Sequence, residues 1–99
     1  MLSRKKLAAS ARFLRNPERW VRGANLTWRV VPGGEDVLIG ACAIGAYFQV
    51  GKGYVDDLDR AHREAYREGM VYYNDNVAKN NRDVCRRLIS LGKGLPKGV

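Results

Sequence analysis

Charge disappears from one long stretch of this chain, Val37 to Val55, which Glu35-Asp36 closes on one side and Asp56-Asp57 on the other, with Lys52 as the only charge inside it. As a single α-helix this stretch would be about 28 Å long, close to the hydrocarbon thickness of a bilayer at about 30 Å. It therefore has to be buried somewhere, in a membrane or in a core. A core helix is favoured by the shorter uncharged part, Val37 to Gly51, and by Gly40, Gly45, Gly51 and Gly53, each costing about 1 kcal/mol against alanine in a water-exposed helix. A membrane helix is favoured by those same small residues, which let neighbouring helices approach closely in lipid. Lys52 at one end can extend its ammonium to headgroups, and Tyr54 and Trp28 are placed like interfacial aromatics. The membrane span is the expectation taken forward.

The rest of the chain sharpens that choice. At 99 residues it forms at most one small domain, and its remaining apolar positions are sparse on polar arms. The expected class is all-α, in four segments: a basic N-terminal arm with short helices (1–34), a transmembrane helix (35–55), a charged helical arm (56–91) and an extended tail (92–99). The formal net charge of +8 calls for anionic surroundings, whether lipid headgroups, nucleic acid or acidic protein faces.

In the N-terminal arm, Leu7, Ala11 and Leu14 recur at helical spacing beside Arg4, Lys5, Lys6, Arg12 and Arg15, with no acid before Glu18. Such a basic, serine-containing, acid-poor segment suits a mitochondrial targeting helix or a plain basic surface helix. Asn16-Pro17-Glu18 reads as a helix start, with Trp20, Val21, Ala24 and Trp28 at helical spacing after it. Pro32-Gly33-Gly34 ends that helix, and Glu35-Asp36 suits the first turn of the next. Along the charged arm, a thin apolar stripe from Leu58 to Leu91 is interrupted by Asn74-Asp75-Asn76 and Asn80-Asn81, which predicts two helices with a break between them.

The residues offer no set for chemistry. Cys42 and Cys85 do not form a Cys-x-x-Cys pair and are read as two reduced thiols. The lone His62 has no zinc partners at a usual spacing, Asn74-Asp75-Asn76 lacks the glycine and glutamate of a calcium loop, and Gly51-Lys52-Gly53 lacks phosphate-loop spacing. No catalytic residue, metal ligand or cofactor is expected, and the chain is not expected to be an enzyme. On a helical wheel of the central stretch, Ala41, Cys42, Gly45, Ala46, Gln49 and Gly53 share one arc, the expected face for packing on another helix. Trp20, Arg22, Trp28, Arg29, Lys52 and Tyr54 are the expected contacts to lipid headgroups.

The order Asn16-Pro17, Arg19-Trp20, Ala24-Asn25, Val31-Pro32, Leu38-Ile39-Gly40-Ala41, Asp59-Arg60 and Glu68-Gly69 resembles the beta-subcomplex subunit four family of mitochondrial NADH:ubiquinone oxidoreductase, over roughly residues 16–71. The resemblance implies a basic arm, a proline-containing linker, one membrane helix and a charged helix. It implies a noncatalytic accessory subunit of respiratory complex I in the mitochondrial inner membrane, and the absence of acid in the first seventeen residues favours the matrix side for the N-terminus. The partners would then be other subunits of a large membrane complex and anionic phospholipid, with no nucleic acid and no small-molecule substrate. Two alternatives differ in kind: an accessory subunit of another inner-membrane complex, and a basic RNA-binding protein such as an organellar ribosomal subunit, whose Lys and Arg neutralise phosphates.

Overall fold

The computed structural model describes residues 1–98. Helix α1 (Arg4–Leu14) starts where the Ser3 side chain accepts a hydrogen bond from the Lys6 amide, and it buries Leu7, Ser10, Ala11 and Leu14. Ser10 can be buried because its hydroxyl donates to the Lys6 carbonyl at 2.7 Å. Asn16-Pro17 does begin a helix, with Asn16 accepting from the Glu18 amide, but it lasts only through Arg19. The predicted helix from Glu18 to Trp28 does not form. Trp20 and Val21 run extended beside Ala41, and Leu26–Arg29 becomes strand β1. The β-branched and aromatic residues of Leu-Thr-Trp-Arg-Val-Val favour that outcome over a helix.

The central stretch is not one helix. Val37–Ala41 is strand β2, antiparallel to β1, with Trp28 opposite Leu38, Arg29 opposite Val37 and a bulge at Ile39. Pro32-Gly33-Gly34 is therefore the turn of a hairpin, with Gly33 at φ 74 and the Gly34 amide on the Val31 carbonyl. Only Ala43–Gln49 is helical (α2), and every residue from Ala43 to Tyr47 is buried. Among the described residues, no helix is long and apolar enough to cross a membrane. The all-α class, the transmembrane helix at 35–55 and the single-pass inner-membrane placement are thereby corrected. The physical reason is that Val-Leu-Ile has strand character, Cys42 caps a new helix, and the chain leaves that helix after Val50 through a left-handed Lys52 at φ 62.

What covers α2 is the rest of the chain. Tyr47 is fully buried, and its hydroxyl accepts a hydrogen bond from the Ser3 amide at 3.1 Å. Helix α3 (Val55–Tyr66) carries Asp56 and Asp57 in its first turn and buries Leu58 and His62. Arg67 at φ 63 turns the chain through the left-handed region into α4 (Met70–Tyr72), which widens into a π turn over Tyr73–Val77. Helix α5 (Asn81–Gly92) is capped by Asn80, whose side chain accepts from the Asp83 amide. It packs antiparallel along α1, so that Asn81 donates to the Leu14 and Arg15 carbonyls (2.8 and 2.9 Å) while Gly92 lies against Arg4 and Leu7 at the other end. Those amide bonds satisfy carbonyls that α1 leaves open at its C-terminus. The shared core joins Leu7, Leu14, Ile44, Tyr47, Leu58, Met70, Val84 and Leu88.

The π turn has an identifiable cause. Its extra residue aims Asn74 inward, where the side-chain oxygen accepts from the Trp20 indole (2.8 Å) and the Ala43 amide (3.0 Å), and the nitrogen donates to the Val21 carbonyl and Asp75 carboxylate (both 2.9 Å). All four hydrogen-bonding positions of the amide are used. The predicted break at Asn74-Asp75-Asn76 is thus a buried polar joint holding the extended segment, α2 and α4 together.

Candidate nucleic-acid interface

Helices α1 and α5 each bury one stripe and leave the opposite one in water. On α1 the exposed positions are Lys5, Ala8, Arg12 and the flanking Arg15; on α5 they are Arg82, Arg86, Ile89 and the flanking Lys93. The two exposed stripes belong to one surface. Ala8 and Arg4 share a shallow groove with Ile89 and Lys93, and further along it the Cys85 thiol donates to the Ala11 carbonyl at 3.2 Å. Asp83 is the only carboxylate in either helix, and it is engaged by Arg86 at 2.6 Å and by the Lys79 amide at 2.9 Å. Those bonds, the Lys79 amide foremost, hold the Asp83 carboxyl below its ordinary pKa.

Cations continue past the Arg15 end. Arg19 lies over the Phe13 ring (5.0 Å) and Arg22 over the Trp20 ring (4.7 Å), and Arg22 also donates to the Ala78 carbonyl at 2.6 Å. At that end Glu18 lies between Arg15 and Arg19, and Asp75 accepts from the Gly23 amide beside Arg22; most other acids lie elsewhere, Glu35 and Asp36 before β2 on the hairpin and Asp56, Asp57 and Asp59 on α3. Two of these are already in ion pairs, Asp57 with the Met1 ammonium (2.8 Å) and Asp59 with Arg63 (2.7 Å). A basic helix face is most often just a solvated surface. Here the cations of two helices converge on one side while the acids collect on others, and like charges about 10 Å apart in water repel by about 0.4 kcal/mol per pair. An anionic strand removes that repulsion.

The residues expected to pack on another helix are mostly inside. Ala41, Cys42, Gly45 and Ala46 are buried, Gly53 lies under the Tyr47 ring, and Gln49 is half-buried. Their smallness does allow close approach, but to this chain's own backbone: a Cβ on Gly45 would collide with the Asn25 carbonyl. The expected headgroup contacts form no single belt. Trp20 and Arg22 stack on each other, Trp28 and Arg29 lie on β1, and Lys52 and Tyr54 line a hollow with Phe48 and Gln49. Cys42 caps α2 through its sulfur, and burial pushes the thiols of both Cys42 and Cys85 up, away from the reactive thiolate. Among the described residues, no three His, Cys, Asp or Glu side chains gather as a metal site would need.

Sequence reasoning did not single out Arg82, Arg86 and Arg87, because on a helix read in isolation they are ordinary solvated charges. The available signal was the lack of any acid but Asp83 across both α1 and α5. No protein-family model matches the chain, and no curated protein or solved structure matches it with significance.

Proposed function

We propose that this protein is a noncatalytic binding module for single-stranded nucleic acid, RNA in the first place, which lies along the α1–α5 face. This is the class raised by the sequence as the alternative to a membrane subunit. The observation that carries it is the convergence of Lys5, Arg12, Arg15, Arg82, Arg86 and Lys93 on one surface with a single, already engaged carboxylate. A face about 18 Å long, the length of α5, spans at most about five phosphates, the number set by the roughly 3.4 Å axial rise of a base-stacked strand. The stacked arginines at its end favour a single strand, since guanidinium planes and rings accept unstacked bases.

Anisotropy of a labelled single-stranded RNA across a salt series tests the reading. Neutralising four or five phosphates predicts a log–log slope of about −3. Arg12→Glu with Arg82→Glu should weaken binding at least tenfold and flatten the slope, whereas Glu35→Gln with Asp36→Asn should do neither. Equal binding by the wild type and the Arg12/Arg82 double variant, with folding intact by circular dichroism, would remove the face from the argument.

A further inference from the structure

Arg87 differs from every other arginine of α5. Its guanidinium is stacked between the Tyr66 ring at 3.7 Å and the Tyr73 ring at 3.9 Å, and its Nη1 donates to His62 Nε2 at 3.0 Å. His62 is fully buried and lies against the same two rings. Its Nδ1 is 2.6 Å from the Glu68 carbonyl, so the neutral ring carries its proton on Nδ1 and offers Nε2 as the acceptor. Both faces and one edge of the guanidinium are thereby fixed.

The remaining edge is open. Among the described residues, Arg87 has no ion pair and no second hydrogen-bond partner, yet no side-chain nitrogen is both buried and unpartnered, so its other N–H groups reach water. Of the two acids whose charge acts on His62, Asp59 already binds Arg63 and the Met70 amide, and Glu68 forms no ion pair with Arg87. Asp83, near Tyr73, is occupied by Arg86 and the Lys79 amide. Beside the stack, the Tyr66 hydroxyl and Ser90 Oγ are 3.0 Å apart, and one of the two has a proton left to donate. A mere strut between helices needs the stacking but not an unpaired, water-facing fork.

We propose that Arg87, clamped by Tyr66 and Tyr73 and held at one edge by His62, is a phosphate-binding residue whose open edge takes two oxygens of a phosphate group, with the Tyr66–Ser90 hydroxyl pair beside it. Guanidinium forks match phosphate oxygens bidentately, and a fork already immobilised loses little freedom on binding. The phosphate comes either from a strand lying across α5, in which case the inference rests on the nucleic-acid reading, or from free phosphate, in which case it does not.

The test is NMR of the full chain, following the ring signals of Tyr66, Tyr73 and His62 while inorganic phosphate is added, then a short RNA with a 5′-phosphate, then the same RNA without it. Saturable shifts at these rings are expected from at least one probe. Arg87→Lys, which keeps the charge and loses the fork, should bind at least fivefold more weakly, and Arg87→Gln should not respond. Response to inorganic phosphate assigns a free-anion site; response to RNA alone assigns a strand phosphate. Rings that shift with no probe, or shift equally in Arg87→Lys, overturn the proposal. Should Arg87→Gln fail to fold, the wild-type and Arg87→Lys titrations decide. Because Arg12 and Arg82 lie outside this cluster, their salt-slope experiment fails or succeeds independently.

Discussion

Helix α2 and the α1–α5 pair solve the same problem in opposite ways. Helix α2 is buried from Ala43 through Tyr47 and reaches the surface only at Phe48 and Gln49, so it contributes mainly burial. The α1–α5 pair buries only one stripe per helix, Leu7, Ser10, Ala11 and Leu14 against Asn81, Val84, Leu88 and Gly92, and leaves Lys5, Arg12, Arg82 and Arg86 outside. Stability therefore concentrates at the centre, and the proposed recognition lies at the wall. Substitutions should separate the two cleanly.

The largest effect is expected at the centre. Gly45→Leu places a side chain into the Asn25 backbone and should destabilise by more than about 3 kcal/mol, seen as a lowered urea midpoint or failure to fold. Tolerance of leucine there would mean that α2 does not pack as described. Next is Asn74→Ala, which strips partners from the Ala43 amide and the Val21 carbonyl and should cost about 2–3 kcal/mol; a loss below about 1 kcal/mol would show that water replaces the joint.

A pH effect follows from His62. Burial, with the Arg87 charge adding to it, holds its folded pKa below the ordinary value of about 6.5, so the unfolded chain binds the proton more readily. Its contribution is fully present above about pH 6.5 and is lost as pH falls toward the folded pKa. Urea midpoints should therefore decline between about pH 7 and 5 in wild type and less so in His62→Gln, whereas parallel curves would assign the decline to other groups. Asp57 and Asp83, whose pKa values are lowered, act only below about pH 4. The smallest stability effect belongs to the wall: Arg12→Gln and Arg82→Gln should change stability by no more than about 0.5 kcal/mol while each reduces the RNA salt slope by about 0.7. A destabilisation above about 1 kcal/mol would make these residues structural and blur the comparison.

Local signals in the sequence translated well where one residue decides a backbone bond. Asn16 caps as expected, the Leu7–Ala11–Leu14 stripe is buried, and the asparagine run at 74–76 does interrupt the helices, while sequence reasoning did not single out the caps at Ser3 and Asn80. The central stretch was legible as needing burial, but its pattern reads as a membrane helix instead of a strand followed by a helix, and Val37, Ile39, Phe48 and Tyr54 stay exposed. A run without charge satisfies helix and strand periods alike, and only pairing with Leu26–Arg29 decides between them. The turn at Arg67 had no glycine to announce it. Neither the basic wall nor the Arg87 cluster could be read along one segment, because each joins helices far apart in the chain, as in the contact from Arg87 to His62.

That separation also sets a schedule. The α1–α5 face is tied at one end by Asn81 to Leu14, which is 67 positions away, and at the other by Arg4 to Leu95, which is 91 positions away. Contacts of such long range close late, after nearer elements have organised. A chain still being synthesised, or one cut before Asn81, presents α1 alone with its apolar stripe uncovered and half of the cations missing. On the proposed function, the full basic face exists only once α5 is present, so a chain cut before Asn81 should lose RNA binding.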